Sequence, residues 1–245
     1  MTSAYILAGV GLFFAGMVQG CTGFGLALVA SPTLMLVFPP TYVVPTVILM
    51  STLNTLIVTW DARKHIQFAM LLPLVMGGFL GLPIGQYLLK TLPGEYLKLI
   101  VGVIAVGFAA TSLAGWHRPI PAQSWFLTPL GIISGVLGAS TSMGGPPIAL
   151  FLANQQIPKN VFRSTLITYF FTVNCVMVAM FSYSGILNRQ IFWTSVSLFP
   201  LMVAGTLLGI FFARWSSEEL FRRLALWVVA MMGTTVLLTN LPKVL

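Results

Sequence analysis

The chain opens with an apolar segment of about 35 residues, from Ala4 to Phe38, inside a first stretch of 60 residues that carries no charge. A helix that crosses a bilayer needs about 20 residues, whereas about 35 would reach roughly 50 Å across a hydrocarbon core of about 30 Å. The centre of the segment, Gly16 to Pro32, holds four glycines where an ordinary span would carry leucine. Backbone without partners is tolerated at membrane depth only inside protein, so the segment predicts two shorter helices joined by a buried turn.

The rest of the chain has the composition of a membrane protein. Charged residues make up 7% of it and the mean hydropathy is +0.97, whereas roughly a quarter of a soluble domain is charged. A net charge of +8 would suggest a nucleic-acid partner in a soluble protein. Here the twelve Lys and Arg residues stand between apolar runs, as loop residues beside a negatively charged leaflet do. We therefore expect a lipid bilayer, and no nucleic acid, as the surroundings of this chain.

The pattern that opens the chain occurs twice. Spans are predicted at Tyr42–Trp60, Phe68–Leu89 and Tyr96–Trp116, and after the loop 117–124 a second overlong segment, Trp125–Ala153, is broken at 138–147. Three more spans follow, at Val161–Tyr183, Ile191–Ala213 and Leu220–Leu241. Residue correspondences support a duplication: an offset of 115 places Gly16, Gly20, Gly23 and Pro32 on Gly131, Gly135, Gly138 and Pro147, and an offset of 120 places Asn54 on Asn174. The sequence predicts a first membrane repeat at 1–116, a loop at 117–124 and a second membrane repeat at 125–245.

The distribution of basic residues decides between two topologies. If each broken segment crosses once, the Lys and Arg residues divide 5 to 7 between the two sides. If each turns back as a hairpin, they divide 8 to 4, which the positive-inside rule favours. The prediction is an all-α polytopic protein of the inner (plasma) membrane, with two inverted repeats that each place a hairpin-like Gly-rich segment before three transmembrane helices. Both termini are then predicted to lie outside the cytoplasm.

Each broken segment supplies a candidate anion site, because a helix that begins inside the membrane exposes unpaired N–H groups and the positive end of its dipole. The alternative is that the small residues only permit close packing and a tight turn. The candidate substrate-binding residues are Thr22, Gly23, Phe24 and Gly25 in the first repeat and Ser140, Thr141, Ser142, Met143, Gly144 and Gly145 in the second.

Three polar residues in or beside the spans extend the candidate site. Asn54 and Asn174 lie in mid-span, where an amide is costly unless it is hydrogen-bonded. They either contact the ligand or brace the broken segment, and the sequence favours neither. Arg163 begins a span of the second repeat, where it either anchors the helix at the cytoplasmic surface or helps to attract an anion.

Carboxylates are missing from the predicted spans. Asp61, Glu95, Glu218 and Glu219 all fall at loop positions, so no carboxylate is placed for an intramembrane proton relay. Nothing in the sequence resembles a nucleophile–base pair or a metal-ligand cluster. We therefore expect no enzyme, no metal and no cofactor.

Two motifs resemble the sulfite exporter TauE/SafE family. They are GCTGFGLALVASP, beginning at Gly20, and SMGGPPIALFL, beginning at Ser142 and followed by VFRSTL from Val161. The two-repeat layout that accompanies them covers nearly the whole chain. The resemblance implies export or uptake of small sulfur-containing or carboxylate anions, such as sulfite, sulfoacetate or related organosulfonates. The helix termini predict an anion site, whereas a sulfur-containing substrate is implied only by this resemblance.

The main hypothesis is a membrane transporter of a small anion, with sulfite-type export. Because the cell interior is negative, an anion that leaves gains about 2.3 kcal/mol per charge per 100 mV, so export needs no dedicated proton-relay carboxylate. The alternatives are an importer of an organosulfonate or carboxylate driven by an ion gradient, and an anion channel. The sequence leaves open the substrate, the direction, the coupling ion and the oligomeric state, with a homodimer as one option.

Overall fold

Helices form every regular element of the described residues, which in this computed structural model are 2–22, 25–62, 66–115, 126–155, 157–215 and 218–244. The first half contains α1 (Thr2–Thr22), α2 (Leu26–Met35), α3 (Pro40–Ala62), α4 (Phe68–Thr91) and α5 (Gly94–Leu113). The second half contains α6 (Leu127–Thr141), α7 (Gly145–Asn154), α8 (Lys159–Tyr183), α9 (Arg189–Trp215) and α10 (Glu218–Asn240), closed by a short 3₁₀ turn at Leu241–Lys243. The all-helical prediction is confirmed, and each half places two helices from a broken segment before three longer ones.

The first broken segment is a hairpin, because α1 and α2 lie side by side. Gly11 of α1 faces the side chain of Thr33 on α2, and a methyl group added to Gly11 would come 2.6 Å from Thr33 Cγ2. In a continuous helix about 22 residues would set these two positions about 33 Å apart. The chain therefore reverses between them, and Gly25, at a φ of 108°, supplies the left-handed backbone from which α2 starts.

The second broken segment also turns back on itself. Ser142 ends α6 in the left-handed conformation, with a φ of 61°, and its N–H donates to the Gly138 carbonyl at 2.8 Å. Gly144 then lies beside α6, where the Ser134 hydroxyl donates to its carbonyl oxygen at 2.6 Å. Helix α7 begins at the next residue, so this segment is a hairpin as well.

Glycines allow two unusually close helix crossings. Methyl groups on Gly77, Gly81 and Gly85 of α4 would lie 2.1 to 2.3 Å from carbonyl oxygens of α6. Methyl groups on Gly16 and Gly20 of α1 would lie 2.3 and 2.2 Å from carbonyl oxygens of α9. Small residues at these positions let the two backbones touch, as in membrane helix pairs built on small-xxx-small patterns.

Both crossings join one half of the chain to the other. The first hairpin packs most closely on α9 of the second half, and the second hairpin packs most closely on α4 of the first half. Helices α3 and α8 pair across the halves, as do α5 and α10. Exchanging the two halves maps the α1–α9 pair onto the α6–α4 pair and maps the α3–α8 and α5–α10 pairs each onto itself, as a two-fold internal repeat requires. The halves are therefore interlocked, while the inverted orientation of the repeats in the membrane stays a prediction.

The helix ends define two faces of the bundle. Lys90 near the end of α4 donates to the carbonyl oxygen of Ser184, just past α8, at 3.4 Å. Pro40 at the start of α3 packs against Gly94 at the start of α5. One face of the bundle thus contains Lys90, the C-terminal ends of α4 and α8, and the starts of α3 and α5. Arg163, in the second turn of α8, lies toward the opposite face. The hairpin topology predicts the same separation, because it places Arg163 among the eight basic residues of one side and Lys90 among the four of the other.

The outer surface is apolar. Phe68, Leu72, Met76 and Leu80 follow one stripe of α4 and are 57 to 72% exposed. Within the described part of the chain, the segments long and apolar enough to cross a membrane are Phe68–Thr91, Gly94–Leu113, Asn160–Tyr183 and Arg189–Phe212. Among the described residues Cys21 and Cys175 form no disulfide; the Cys21 thiol donates to the Gly209 carbonyl at 2.9 Å, and Cys175 is exposed on α8.

Candidate functional site

A cavity of about 50 Å³ lies where the two hairpins meet. Its wall is formed by Gln19 of α1, residues 25–28 at the start of α2, residues 142–146 at the tip of the second hairpin, and neighbouring faces of α3, α6 and α8. The hairpins touch beside it, where Ser31 Oγ of α2 and Ser142 Oγ lie 2.5 Å apart. One ordered water needs about 10–15 Å³ of such space, so the cavity has room for a small molecule of several atoms.

The start of α2 supplies backbone donors to this wall. The N–H of Val29 donates to the Gly25 carbonyl at 3.3 Å, and among the described residues no side-chain cap is found at this end of α2. The preceding amides of Leu26, Ala27 and Leu28 belong to the first helical turn, whose N–H groups have no partner within the helix. All three residues line the cavity. Their N–H groups and the positive end of the helix dipole favour a negatively charged ligand here.

The start of α7 supplies fewer donors than the start of α2. Pro146 and Pro147 occupy its first turn and have no N–H to offer. The N–H of Met143 is already bonded to Thr141 Oγ1 at 3.3 Å. Gly144 and Gly145 therefore carry the remaining backbone donors of this tip, and the two halves contribute unequally to the site.

The two mid-span asparagines have different places. Asn174 lines the cavity, and its Nδ2 donates to Ser51 Oγ of α3, also a lining residue, at 3.3 Å. Asn54 is fully buried, and its Nδ2 donates to Oε1 of Gln19 at 2.8 Å. Its own Oδ1 has no hydrogen-bond partner among the described residues. Of the two roles that the sequence left open, Asn174 takes a place in the wall and Asn54 braces a wall residue.

A chain of hydrogen bonds holds the tip of the second hairpin. The buried hydroxyl of Tyr169 on α8 donates to Ser134 Oγ at 3.0 Å, and Ser134 donates to the Gly144 carbonyl at 2.6 Å. Gly78 of α4 leaves room for the ring, since a methyl group there would lie 2.8 Å from the Tyr169 hydroxyl. This chain fixes the position of Gly144, one of the two backbone donors of that tip.

The structure brings part of the sequence-based candidate set together. The candidates that line the cavity are Gly25, Ser142, Met143, Gly144, Gly145 and Asn174. Ser140 and Thr141 lie outside the lining, and their hydroxyls donate to the carbonyls of Val136 and Leu137 in their own helix. Arg163 is half-buried and also outside the lining, with no hydrogen-bond partner for Nε in the described part of the chain. Gly23 and Phe24 fall outside the described residues, and for Thr22 only its place at the end of α1 is described.

Several wall residues were not anticipated from the sequence. Gln19 had a visible signal, since it is the one carboxamide in the first apolar segment, Ala4 to Phe38. Ser51, Ser134 and Tyr169 had none, because a serine or tyrosine in an apolar helix gives no indication of which way it faces. Among the described residues, those that line the cavity carry no formal charge. This part of the wall can therefore attract an anion through its N–H and O–H dipoles.

Comparison with known proteins points to the same class. A curated protein of Cupriavidus necator, described as "Probable sulfite/organosulfonate exporter TauE", is 25% identical to this chain over 241 residues, which cover 95% of this chain and 91% of the relative. No solved structure matches the chain. The family model described as sulfite exporter TauE/SafE matches residues 7–236. The chain therefore belongs to the sulfite exporter TauE/SafE family and is a multi-pass membrane transporter.

Proposed function

We propose that this transporter moves a small sulfur oxyanion or organosulfonate across the inner membrane through the cavity between the two hairpins. The observation that carries the proposal is the first turn of α2, where Leu26, Ala27 and Leu28 line the cavity and, as first-turn residues, have N–H groups with no partner inside the helix. An anion held by backbone N–H groups needs no fixed positive side chain, and this lets it leave again. The description of the Cupriavidus relative as a sulfite/organosulfonate exporter supports the same substrate class.

The rest of the wall limits the ligand. Leu26, Val47, Ile48, Phe170 and Val173 give the cavity a largely apolar surface. An anion with a short apolar part, such as a methyl or ethyl sulfonate, would cover these side chains while its oxygens meet the donors. A cavity of about 50 Å³ is too small for a nucleotide or another large polyanion.

The electrostatics of the wall favour export driven by the membrane potential. The described side chains that line the cavity are uncharged, so the loaded carrier takes on the charge of its anion. Moving one negative charge outward releases about 2.3 kcal/mol per 100 mV when the interior is negative. We infer that the carrier exports its anion electrogenically.

Counterflow in proteoliposomes tests the substrate class. Vesicles loaded with unlabelled sulfite, methanesulfonate, sulfoacetate, acetate or chloride would be diluted into trace labelled sulfite. We expect saturable accumulation of label with the sulfur oxyanions and little with chloride. Unitary currents in a planar bilayer without saturable counterflow would instead identify an anion channel, and would contradict the proposal.

A further inference from the structure

Ser51 differs from three other hydroxyl residues of α3. Thr46, Thr52 and Thr55 of α3 each donate to the carbonyl four residues earlier, at 2.7 to 2.8 Å. Such a bond occupies the only proton that the hydroxyl has. Within the described part of the chain, the Ser51 side chain makes one hydrogen bond, and it is the one accepted from Asn174 Nδ2. The hydroxyl proton of Ser51 therefore has no acceptor among the described residues, and Ser51 lines the cavity.

Asn174 fixes the direction of that proton. Its side chain is 5% exposed on α8, and its Nδ2 occupies a lone pair of Ser51 Oγ at 3.3 Å. A hydroxyl that accepts a hydrogen bond becomes a stronger donor, since neighbouring bonds polarise one another. If the amide of Asn174 were reversed, Ser51 would donate to Oδ1 and the amide nitrogen would face the cavity instead. In either arrangement the pair keeps one donor for a ligand.

We propose that Ser51 is a ligand-binding residue of this cavity, donating its hydroxyl proton to an acceptor oxygen of the transported anion, with Asn174 as its positioning residue. The proposal rests on the anion transport proposed above and adds a side-chain donor to the backbone donors of α2. Ser51 belongs to the first half of the chain and Asn174 to the second, so the donor is complete only when α3 and α8 are paired. A ligand with acceptor oxygens, such as a sulfonate or carboxylate, would use it.

The test is anion binding and flux for Ser51→Ala, Ser51→Thr, Asn174→Ala and the double variant Ser51→Ala/Asn174→Ala. Binding is read from the thermal midpoint of the purified protein against concentration of sodium methanesulfonate, since a ligand of the folded state raises that midpoint. Losing one hydrogen bond to a charged group should raise Kd and KM of Ser51→Ala about tenfold or more, with the maximal flux within about twofold of wild type. Ser51→Thr, which keeps a hydroxyl, should recover most of the affinity.

The double variant separates the positioning role from an independent contact. If Asn174 acts through Ser51, the double variant should bind no more weakly than Ser51→Ala alone. Thr52→Ala is the matched control, because it removes a hydroxyl bonded to Ile48 in the same helix. Should Ser51→Ala fail to fold, Asn174→Ala tests the positioning role, because it leaves the Ser51 hydroxyl in place and removes the bond that orients it; wild-type affinity in that variant would contradict the inference.

Three results would overturn the inference. They are wild-type affinity in Ser51→Ala, multiplicative losses in the double variant, and an equal loss of affinity in Thr52→Ala. If wild type binds methanesulfonate and Ser51→Ala binds it equally well, Ser51 is not a ligand-binding residue, and the proposed transport is unaffected. If wild type neither binds nor transports any anion of the panel, both the Ser51 inference and the proposed transport are wrong.

Discussion

Ser31 Oγ and Ser142 Oγ lie 2.5 Å apart and are the point where the two hairpins share a hydrogen bond. Ser142 also lies 2.5 Å from the Thr141 carbonyl, to which it donates its single proton, so Ser31 is the donor in the pair. Both side chains are buried. The contact joins α2 of one half to the tip of the other half directly beside the cavity. We therefore predict that transport requires the two hairpins to separate here.

A disulfide is expected to form when both serines are replaced by cysteine, in a chain whose own thiols are changed to Cys21→Ser and Cys175→Ser. Two Cβ atoms that carry hydroxyls this close lie near the separation of about 3.5–4.5 Å that a disulfide needs. We expect mild oxidation of Ser31→Cys/Ser142→Cys to remove both thiols from maleimide labelling, and to lower anion flux at least tenfold until a reductant is added. The single cysteine variants are the controls. Full flux through the cross-linked protein would mean that the hairpins stay joined throughout transport.

Adding a methyl group at a helix crossing should destabilise the fold. The Cβ of Gly81→Ala would lie 2.3 Å from the Ile132 carbonyl oxygen, whereas Gly107 on α5 has no atom within 4 Å. Overpacking of this kind costs about 1–3 kcal/mol or more, while Gly107→Ala should be neutral or slightly stabilising. Thermal unfolding in detergent compares the two. Equal midpoints would contradict the close crossing of α4 and α6.

A proline in the first turn of α2 should weaken anion binding without breaking the helix. Ala27→Pro removes one of the amides that line the cavity, and proline is tolerated in the first helical turn. Ala27→Val is the control, since it adds comparable bulk and keeps the N–H group. We expect Kd for methanesulfonate to rise about tenfold in the proline variant relative to the valine variant. Equal affinities would place the anion away from this helix terminus.

Tyr169→Phe should loosen the tip of the second hairpin. It removes the hydroxyl that donates to Ser134, at a cost of about 0.5–1.5 kcal/mol for one hydrogen bond. Because Ser134 also holds Gly144, the effects of Tyr169→Phe and Ser134→Ala should be less than additive in thermal unfolding. Additive losses would show that the two bonds act separately.

Length, glycine positions and charge were enough to anticipate the hairpins. An apolar run from Ala4 to Phe38 is too long for one crossing, and the division of basic residues favoured a return. What the sequence could not supply was the choice of partners. Gly16 and Gly20 indicate that α1 has a flat face. The helix that packs against this face is α9, and this choice depends on the shapes of both helices and on the glycines of α9.

The asparagines show the limit of an internal repeat as a guide to the site. Asn54 and Asn174 correspond at an offset of 120, yet the residue that corresponds to Ser51 at that offset is Phe171. At the offset of 115 that aligns the glycines, Gln19 falls on Ser134. Equivalent amides therefore meet different neighbours, and only the three-dimensional structure separates a wall residue from a bracing one.

The transport path between the two hairpins is tested most directly by voltage-driven anion efflux from proteoliposomes that contain wild type, Gly145→Val or Gly107→Val. Gly145 lines the cavity and its added Cβ would make ordinary contact with Phe170 at 3.4 Å, so a valine there fills the cavity without striking backbone. We expect an interior-negative potential to accelerate methanesulfonate efflux through wild type and Gly107→Val, and Gly145→Val to fall to the rate of empty vesicles. Efflux through folded Gly145→Val at the wild-type rate would contradict a transport path between the two hairpins.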